Sequence, residues 1–223
     1  MKTTVCLFLF LLPVMLLAQQ PAKKTIEYSL SFGSILPGTV KGSYEDDYPD
    51  DETADVKNEI CPMLKGSFDY YLVPFFSLGA GINYAAFRIK DVLWVEDGRS
   101  LIDDNDKVNL GTWDGREHII PLTGISNLEL TLSAKYRYVV NDQLVFKGCL
   151  YLGYRRTFSD SQDARNEGMV LNYNIEGQYY ITDKCFLQGD LGIISQPYGG
   201  IHHVAHVRTF GIPYLSVGVG MGL

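Results

Sequence analysis

The chain has 223 residues, of which 46% are hydrophobic, 13% aromatic and 20% charged, and this composition suits a folded domain rather than a disordered chain. The formal net charge of −7 argues against nucleic-acid binding, which needs a basic face to displace the counterions of phosphate. A mean hydropathy of −0.01 with one long apolar run excludes a membrane protein built from several helices, and the 22 glycines show no collagen period. A β-rich fold remains.

The first 18 residues are predicted to be an export signal. Lys2 supplies a positive start, an apolar run extends from Val5 to Leu17, and Ala18 offers a small residue for cleavage. A transmembrane helix is the alternative, but it needs about 20 apolar residues, and Pro13 interrupts this shorter run. Cleavage after Ala18 leaves residues 19–223 as the mature domain.

Three cysteines remain after cleavage, Cys61, Cys149 and Cys185. They are odd in number and widely spaced, whereas exported domains built on disulfides carry dense, even sets. One bridge stays open as an alternative, but no pair can be assigned because bridging depends on the distance between Cα atoms. Cysteine is therefore not expected to build the fold.

From residue 25 onward, apolar residues recur at every second position in runs of about ten residues, the length of a tilted membrane-spanning strand. In the fourth run, for example, Leu128, Leu130 and Leu132 alternate with Glu129 and Thr131. None of the runs has helical spacing. The eight runs cover residues 25–32, 64–70, 76–84, 128–137, 144–155, 169–179, 187–193 and 215–223.

The connections alternate between short and long. Three tight turns are predicted near Val73-Pro74, Asn141-Asp142 and Thr182–Lys184, whereas residues 34–60, 89–127, 156–168 and 195–209 form long connections. Short turns at one end, long loops at the other and an even strand count are the pattern of outer-membrane barrels. The sequence therefore predicts an all-β fold, an eight-stranded antiparallel up-and-down transmembrane β-barrel with its short turns and N-terminus in the periplasm.

The alternation of apolar and polar residues does not by itself tell which face of the barrel wall points outward. A soluble exported barrel that binds an apolar ligand would place Leu130, Leu132, Leu150 and Leu152 inside. Aromatic residues near both ends of the apolar faces favour a lipid-facing exterior, because such girdles mark the membrane interfaces. The predicted girdles contain Tyr70, Phe76, Tyr136, Tyr138 and Tyr179 near the short turns and Tyr84, Tyr154, Tyr173 and Tyr214 toward the loops.

The polar faces carry ten charged residues, five of each sign. An eight-stranded barrel has room only for side chains, so charges inside it must be paired to offset the loss of hydration. The balance therefore predicts a lumen charge network. Its members are Glu27, Lys65, Asp69, Glu129, Lys135, Arg137, Lys147, Arg155, Glu176 and Asp190.

With its signal, its eight runs and its ending Leu215-Ser-Val-Gly-Val-Gly-Met-Gly-Leu223, the chain resembles the porin-family outer-membrane β-barrels and is similar in build to the small OmpA/OmpX-type barrels. The resemblance implies localisation in the outer membrane, contact with its lipid and lipopolysaccharide, and insertion by the outer-membrane assembly machinery. That machinery usually finds an aromatic residue at the C-terminus, where this chain has Leu223. We expect a monomer.

Acidic residues crowd the first two long loops and suggest a divalent cation. The segment Asp104-Asn105-Asp106 lacks the following Gly and Glu spacing of an EF-hand loop, so a solvated acidic surface is the favoured interpretation. The acidic residues are Glu45, Asp46, Asp47, Asp50, Asp51, Glu52, Asp55, Asp97, Asp103, Asp104 and Asp106.

The last long loop contains His202, His203 and His206, and two histidines four residues apart can bind zinc when they share a helical face. No helix is predicted there. The histidines also suggest an outer-membrane lipid A deacylase with a histidine-activated serine. His206 is followed by Val207-Arg208, so the His-x-Ser arrangement of that family is missing.

The second long loop also contains large apolar groups at Leu93–Val95 and Trp113–Arg116. We interpret them as a hairpin beyond the membrane, with a protein-contact surface as the alternative. The sequence thus indicates a non-enzymatic barrel with a structural or interaction role, no cofactor, no metal, no catalytic residue, no nucleic acid and no diffusion channel. Its extracellular loops are available to an envelope or extracellular protein that the sequence does not identify.

Overall fold

A computed structural model describes residues 26–43, 53–94, 100, 102–113, 116–161, 167–194, 206–207 and 211–223. The export signal predicted for residues 1–18 lies outside the described residues. Within them, no helix is long and apolar enough to span a membrane.

The described residues form β-strands joined by turns. The strands are β1 (Ile26–Ile35), β2 (Thr39–Ser43), β3 (Thr53–Asn58), β4 (Cys61–Val73), β5 (Phe76–Phe87), β6 (Ile89–Trp94), β7 (Lys107–Trp113), β8 (Arg116–Pro121), β9 (Ile125–Val139), β10 (Leu144–Phe158), β11 (Glu167–Tyr180), β12 (Cys185–Ile194), β13 (His206–Val207) and β14 (Ile212–Gly222).

Eight of these strands form a closed barrel in the order β1-β14-β12-β11-β10-β9-β5-β4, and every neighbouring pair is antiparallel. Each barrel strand contains most or all of one predicted apolar run. The three predicted tight turns join β4 to β5, β9 to β10 and β11 to β12. The predicted fold class, an eight-stranded antiparallel up-and-down barrel, is confirmed.

The register of the strands sets the tilt of the barrel. Following the paired residues once around the barrel returns to β1 displaced by about ten residues. With usual strand spacings this stagger corresponds to a tilt of about 40°. About ten residues of such a strand cross the apolar part of a membrane, which matches the lengths of the barrel strands.

The first and last strands close the barrel. In β1 and β14, Tyr28 lies opposite Met221 and Leu30 opposite Val219. The backbone N–H of Leu223 donates to the carbonyl of Ile26 at 2.9 Å. The start of β1 and the end of β14 therefore lie at the end of the barrel that carries the tight turns, called here the short-turn end. The opposite end is called the long-loop end.

The apolar side chains of the barrel point outward. Leu132 is 70% exposed and Leu130 is 59% exposed, and Leu150 and Leu152 are also exposed. The alternative of a soluble barrel with an apolar lumen is therefore wrong, because its ligand site would need these leucines inside. One predicted girdle residue is also wrong: Tyr214 is buried in the interior, since it precedes outward-facing Leu215 in the alternation.

The barrel strands extend past the lipid-facing belt into further sheet structure at the long-loop end. A four-stranded sheet has the order β13-β2-β3-β6, and β7 pairs with β8 as a hairpin. The pairing of Trp113 with Arg116 confirms the hairpin predicted for this loop. The sequence indicated only long connections for the other strands, because none shows a complete run of alternating residues.

An apolar core, called here the rim core, joins these outer strands to the barrel. Barrel residues and residues of β6 and β7 contribute to it, and Ile102 and Leu122 pack against it. Because both parts share one buried cluster, β6 and β7 are anchored on the barrel by packing as well as by the chain. The rim core contains Ile35, Cys61, Met63, Ala85, Phe87, Ile89, Val92, Val108, Ile125, Ile194, Ile212 and Tyr214.

Inward-facing glycines make room for the larger interior side chains. A Cβ atom at Gly79 would collide with the backbone carbonyl of Phe68 and the carboxylate of Asp69, and would lie 2.7 Å from the hydroxyl of Ser133. By contrast, nothing lies within 4 Å of a Cβ placed at Gly189, which faces outward. The two glycines therefore differ in what surrounds them.

We expect Gly79→Ala to destabilise the folded barrel by about 1–3 kcal/mol, because the added methyl group overpacks the interior. Gly189→Ala is the matched control, and we expect a change within about 1 kcal/mol, because its methyl group enters open space. The measurement is the urea midpoint at which the compact band of the unboiled protein disappears from a gel. Equal midpoints for the two variants would contradict the interior packing described here.

Candidate functional site in the barrel interior

All ten charged residues of the predicted lumen network lie inside the barrel. Each is at most 8% exposed, and Glu176 is completely buried. They share this environment because they occupy the strand positions between the outward-facing apolar residues. The interior of this barrel is therefore polar and charged, whereas the exterior is apolar.

A connected ion-pair cluster occupies the middle of the interior. The Lys135 ammonium lies 2.7 Å from Oδ2 of Asp69 and 2.9 Å from Oε2 of Glu176. The Lys147 ammonium pairs with Glu27 and lies 3.8 Å from Oδ2 of Asp69. Two lysines and three carboxylates, from strands that are far apart in sequence, thus form one cluster with a formal charge of −1, and Arg137 interacts electrostatically with its Glu27.

Glu27 is the most fully satisfied carboxylate near the short-turn end. Its oxygens accept hydrogen bonds from the Tyr71 hydroxyl at 3.1 Å, the Tyr180 hydroxyl at 2.7 Å and Nε2 of Gln178 at 3.4 Å, in addition to Lys147. Four donors therefore surround one carboxylate. Such saturation offsets the cost of removing the charge from water.

A separate ion pair joins Lys65 to Asp190, with 3.4 Å between Nζ and Oδ2. Asp190 also accepts hydrogen bonds from Nε2 of Gln188 and from the hydroxyl of Ser216 at 2.8 Å. The Lys65 ammonium lies 4.9 Å from the centre of the Tyr151 ring, a cation–π contact. This pair is therefore supported by polar and aromatic neighbours.

A second separate pair lies closer to the long-loop end, where Arg155 donates to Glu129. Both Nε and Nη2 of the guanidinium contact Oε1 of Glu129. The other carboxylate oxygen accepts from Asn172 at 2.8 Å and from Asn83 at 3.2 Å. These partners fix the orientation of the carboxylate from three sides.

Arg137 is the exception among the five interior cations. Among the described residues it forms no ion pair, and its buried Nε has no hydrogen-bond partner. Its guanidinium lies 5.3 Å from the centre of the Tyr71 ring. The sequence indicated an interior position for Arg137, but it gave no sign that Arg137 interacts with Glu27 only at a distance and forms no close ion pair.

Sequence reasoning overlooked the uncharged members of the network, in particular Tyr71 and Tyr180. Both follow the charged residues of their strands at even spacing: Tyr71 lies two positions after Asp69, and Tyr180 lies four positions after Glu176. The period-two pattern that placed the charges inside would have placed these tyrosines inside as well.

Apolar side chains close the charged interior at both ends. The rim core lies at the long-loop end, and Val145, Tyr180 and Phe186 cluster at the short-turn end with Val139 packed against them. Except for Arg137, which borders a pocket at the short-turn end, the charges therefore lie between two apolar layers within a narrow eight-stranded barrel, whose inside is filled by side chains.

The acidic loop residues form no metal site within the described part of the chain, where no group of three or more His, Cys, Asp or Glu residues could hold an ion. Asp103 instead accepts the backbone N–H groups of Lys107 and Asn105, each at 2.9 Å, and these bonds hold the pKa of its carboxyl below the usual range. Of the other acidic loop residues, only Asp104 and Asp106 have described side chains.

The structure does not describe the side chains of the three histidines. His202 and His203 lie outside the described residues, and His206 is described only as part of the backbone of β13. The lipid A deacylase hypothesis therefore stays untested. Cys61, Cys149 and Cys185 are all free thiols.

Comparisons with known proteins give a fold but no family. No protein-family model matches the sequence, and no curated protein matches it. The crystal structure of the outer membrane protein OprG from Pseudomonas aeruginosa is similar over 90% of this chain and 97% of OprG, with a TM-score of 0.55 and 13% sequence identity.

The chain has the fold of an outer-membrane β-barrel. Together with the apolar exterior, this fold supports the outer-membrane localisation expected from the sequence. At 13% identity, the likeness to OprG shows the fold and carries no activity.

Two further solved structures are similar at lower scores. The outer membrane protease OmpT from Escherichia coli matches over 89% of this chain and 97% of its own, with a TM-score of 0.45 and 10% identity. Ail, the attachment invasion locus protein of Yersinia pestis, matches over 88% and 98%, with a TM-score of 0.43 and 10% identity.

Proposed function

We propose that this protein is a non-enzymatic outer-membrane barrel, similar in build to the small OmpA/OmpX-type barrels, that presents a rigid β-structured surface outside the cell. The observation that carries this proposal is the rim core, in which residues of β6 and β7, such as Val92 and Val108, are buried together with barrel residues such as Met63. A surface held in this way can bind a partner with little loss of conformational entropy.

The filled interior supports a role at the surface rather than in diffusion. The ion pairs of Lys135, Lys65 and Arg155 occupy the cross-section of a narrow barrel, and apolar clusters close both ends. An eight-stranded barrel filled by its own side chains leaves no aqueous channel. We therefore assign no transport activity to this protein.

The proposal includes an orientation and a set of partners. The short-turn end with both strand termini faces the periplasm, and the outer sheets face the exterior. The apolar belt contacts outer-membrane lipid and lipopolysaccharide, the outer-membrane assembly machinery inserts the chain, and the barrel acts as a monomer. An envelope or extracellular protein binds the outer strands.

Epitope tags inserted separately between β7 and β8 and after Asp142 test this arrangement. We expect an antibody to label intact cells that carry the first tag and to label cells with the second tag only after the outer membrane is permeabilised. Both proteins must show the heat-dependent gel shift of a folded barrel. Labelling of the Asp142 tag on intact cells would show that the barrel is inverted.

A variant in which the β7–β8 hairpin is replaced by a short turn then separates an interaction role from a purely structural one. In a strain lacking this protein, both the full-length chain and the trimmed barrel are assayed for restored resistance to bile salts. Restoration by the full-length chain alone supports a role for the outer strands, provided that the trimmed barrel, which lacks Val108 of the rim core, still shows the heat-dependent gel shift in the outer membrane. Equal restoration by the trimmed barrel would show that the barrel suffices, and would overturn the proposed role of the surface.

A further inference from the structure

A pocket of about 300 Å³ lies at the short-turn end of the barrel, between the β9–β10 turn and the β11–β12 turn. Its buried lining residues are Arg137 and Tyr180, whereas Asp142, Thr182 and Asp183 are exposed turn residues. The buried residues therefore form its floor and the turn residues its rim. A pocket of this size accommodates a small molecule.

The floor of the pocket contains the one interior cation that forms no ion pair within 4.0 Å among the described residues. The lysines at positions 65, 135 and 147 and Arg155 all form ion pairs, whereas the Nε of Arg137 is buried without a hydrogen-bond partner. Glu27 lies in the same region, but it already accepts four hydrogen bonds.

Arg137 interacts electrostatically with Glu27, but a buried N–H donor without a hydrogen-bond partner is still costly, because its hydration is lost and no hydrogen bond replaces it. Planar guanidinium groups bind carboxylates with high geometric specificity. The position of Arg137 at the floor of an open pocket therefore points to a carboxylate that enters from outside the chain.

The rim adds a second requirement. Asp142 and Asp183 are acidic residues on opposite turns, and they repel a simple anion that approaches Arg137. The same carboxylates attract a cationic group. A ligand that carries a carboxylate at one end and an ammonium group at the other complements the positive charge of the floor and the negative charge of the rim.

The two turns that form the rim are held in place by hydrogen bonds. The Asn141 side chain accepts the backbone N–H groups of Gln143 and Leu144 at 2.9 and 2.8 Å. The Thr182 hydroxyl accepts the backbone N–H of Cys185 at 3.0 Å. The backbone N–H of Tyr180 donates to the carbonyl of Gln143 at 2.7 Å and so joins the β9–β10 turn to the end of β11. A preformed pocket loses little entropy when it binds a ligand.

We propose that this pocket binds a small dipolar molecule, whose carboxylate pairs with Arg137 and whose ammonium group faces Asp142 and Asp183. The inference does not rest on the proposed surface function. If the barrel has the orientation proposed above, the ligand binds from the periplasm.

The test measures binding of 6-aminohexanoate, hexanoate and hexylamine to the folded full-length barrel in detergent micelles by titration calorimetry. We expect 6-aminohexanoate to bind more tightly than either hexanoate or hexylamine. Arg137→Gln should weaken binding of 6-aminohexanoate by about tenfold or more, because it removes a charge-assisted pair. Arg156→Gln is the matched control, since Arg156 is 63% exposed and pairs with Glu167 at the long-loop end, and it should leave binding unchanged.

A second variant keeps the test decisive if Arg137→Gln does not fold. Asp142 and Asp183 are exposed turn residues, so Asp142→Asn/Asp183→Asn should fold normally. It should abolish the preference for 6-aminohexanoate over hexanoate while hexanoate still binds. Undiminished binding of 6-aminohexanoate by Arg137→Gln, an unchanged preference in the double variant, or no binding by the wild-type protein would each overturn the proposal.

Discussion

Replacing Lys135 by methionine is expected to lower the free energy of unfolding by about 3–5 kcal/mol, which is the effect of breaking a buried ion pair by removing one partner. Lys135 is 1% exposed, and its ammonium contacts both Asp69 and Glu176. Its loss leaves two carboxylates buried with one fewer cation. Lys147 lies 3.8 and 3.9 Å from these carboxylates and is already paired with Glu27, so it does not replace the missing charge.

The double variant Lys135→Met/Glu176→Gln is expected to be more stable than Lys135→Met alone. It removes one charge of each sign, and the glutamine amide oxygen can still accept the Tyr151 hydroxyl that Glu176 accepts at 3.2 Å. With Glu176→Gln measured as the second single variant, the three changes in stability give the coupling energy between Lys135 and Glu176.

The measurement is urea-induced unfolding in lipid vesicles, with the fraction of folded protein read from gel migration without boiling. Lys184→Met removes a lysine from an exposed turn and serves as the control, with a change within about 0.5 kcal/mol. If the single and double variants lost equal stability, the charges would behave as though they faced water, and the network described here would be contradicted.

Replacing Leu132 by arginine is expected to prevent or strongly reduce assembly of the barrel in the membrane. Leu132 is at the middle of β9, lies opposite Leu152 and Ala80 on the neighbouring strands, and is 70% exposed on the outer face. An arginine on the lipid face near the midplane costs about 2–4 kcal/mol. The measurement is the amount of heat-modifiable protein recovered in the outer-membrane fraction.

Val140→Arg is the control for this experiment. Val140 follows β9 directly, in the turn at the short-turn end, and it is 48% exposed. Arginine near the membrane interface costs about 0–1 kcal/mol, so this variant should assemble normally. Wild-type recovery of Leu132→Arg, with an unchanged urea midpoint, would show that Leu132 does not contact lipid.

The barrel was predictable because its main signal is local. Alternation along β9, from Leu128 through Leu132 to Tyr136, already determines a strand with one apolar face, and the same holds for the other seven barrel strands. The tight turns at Asn141-Asp142 and Thr182–Lys184 limit the length of each strand. These features involve neighbouring residues only, so they are readable without a tertiary structure.

The outer strands were not predictable in the same way. Residues of β2, β3 and β6 pair with one another across long stretches of chain, and Val92 and Val108 become buried only when they meet the barrel rim. Their short sequences carry no complete period-two pattern. Tyr214 was assigned to the wrong face because it was grouped with aromatic residues near the loops rather than placed in the alternation of β14.

By itself, the sequence determined that the ten charged residues face the interior, because side-chain direction in a strand alternates from one residue to the next. Only the tertiary structure decided which charges meet. Lys147 and Glu27 are 120 residues apart in the chain, and Lys65 and Asp190 are 125 residues apart. Their proximity depends on the stagger with which the eight strands close, and that stagger also leaves Arg137 at the floor of a pocket with its Nε unpartnered among the described residues.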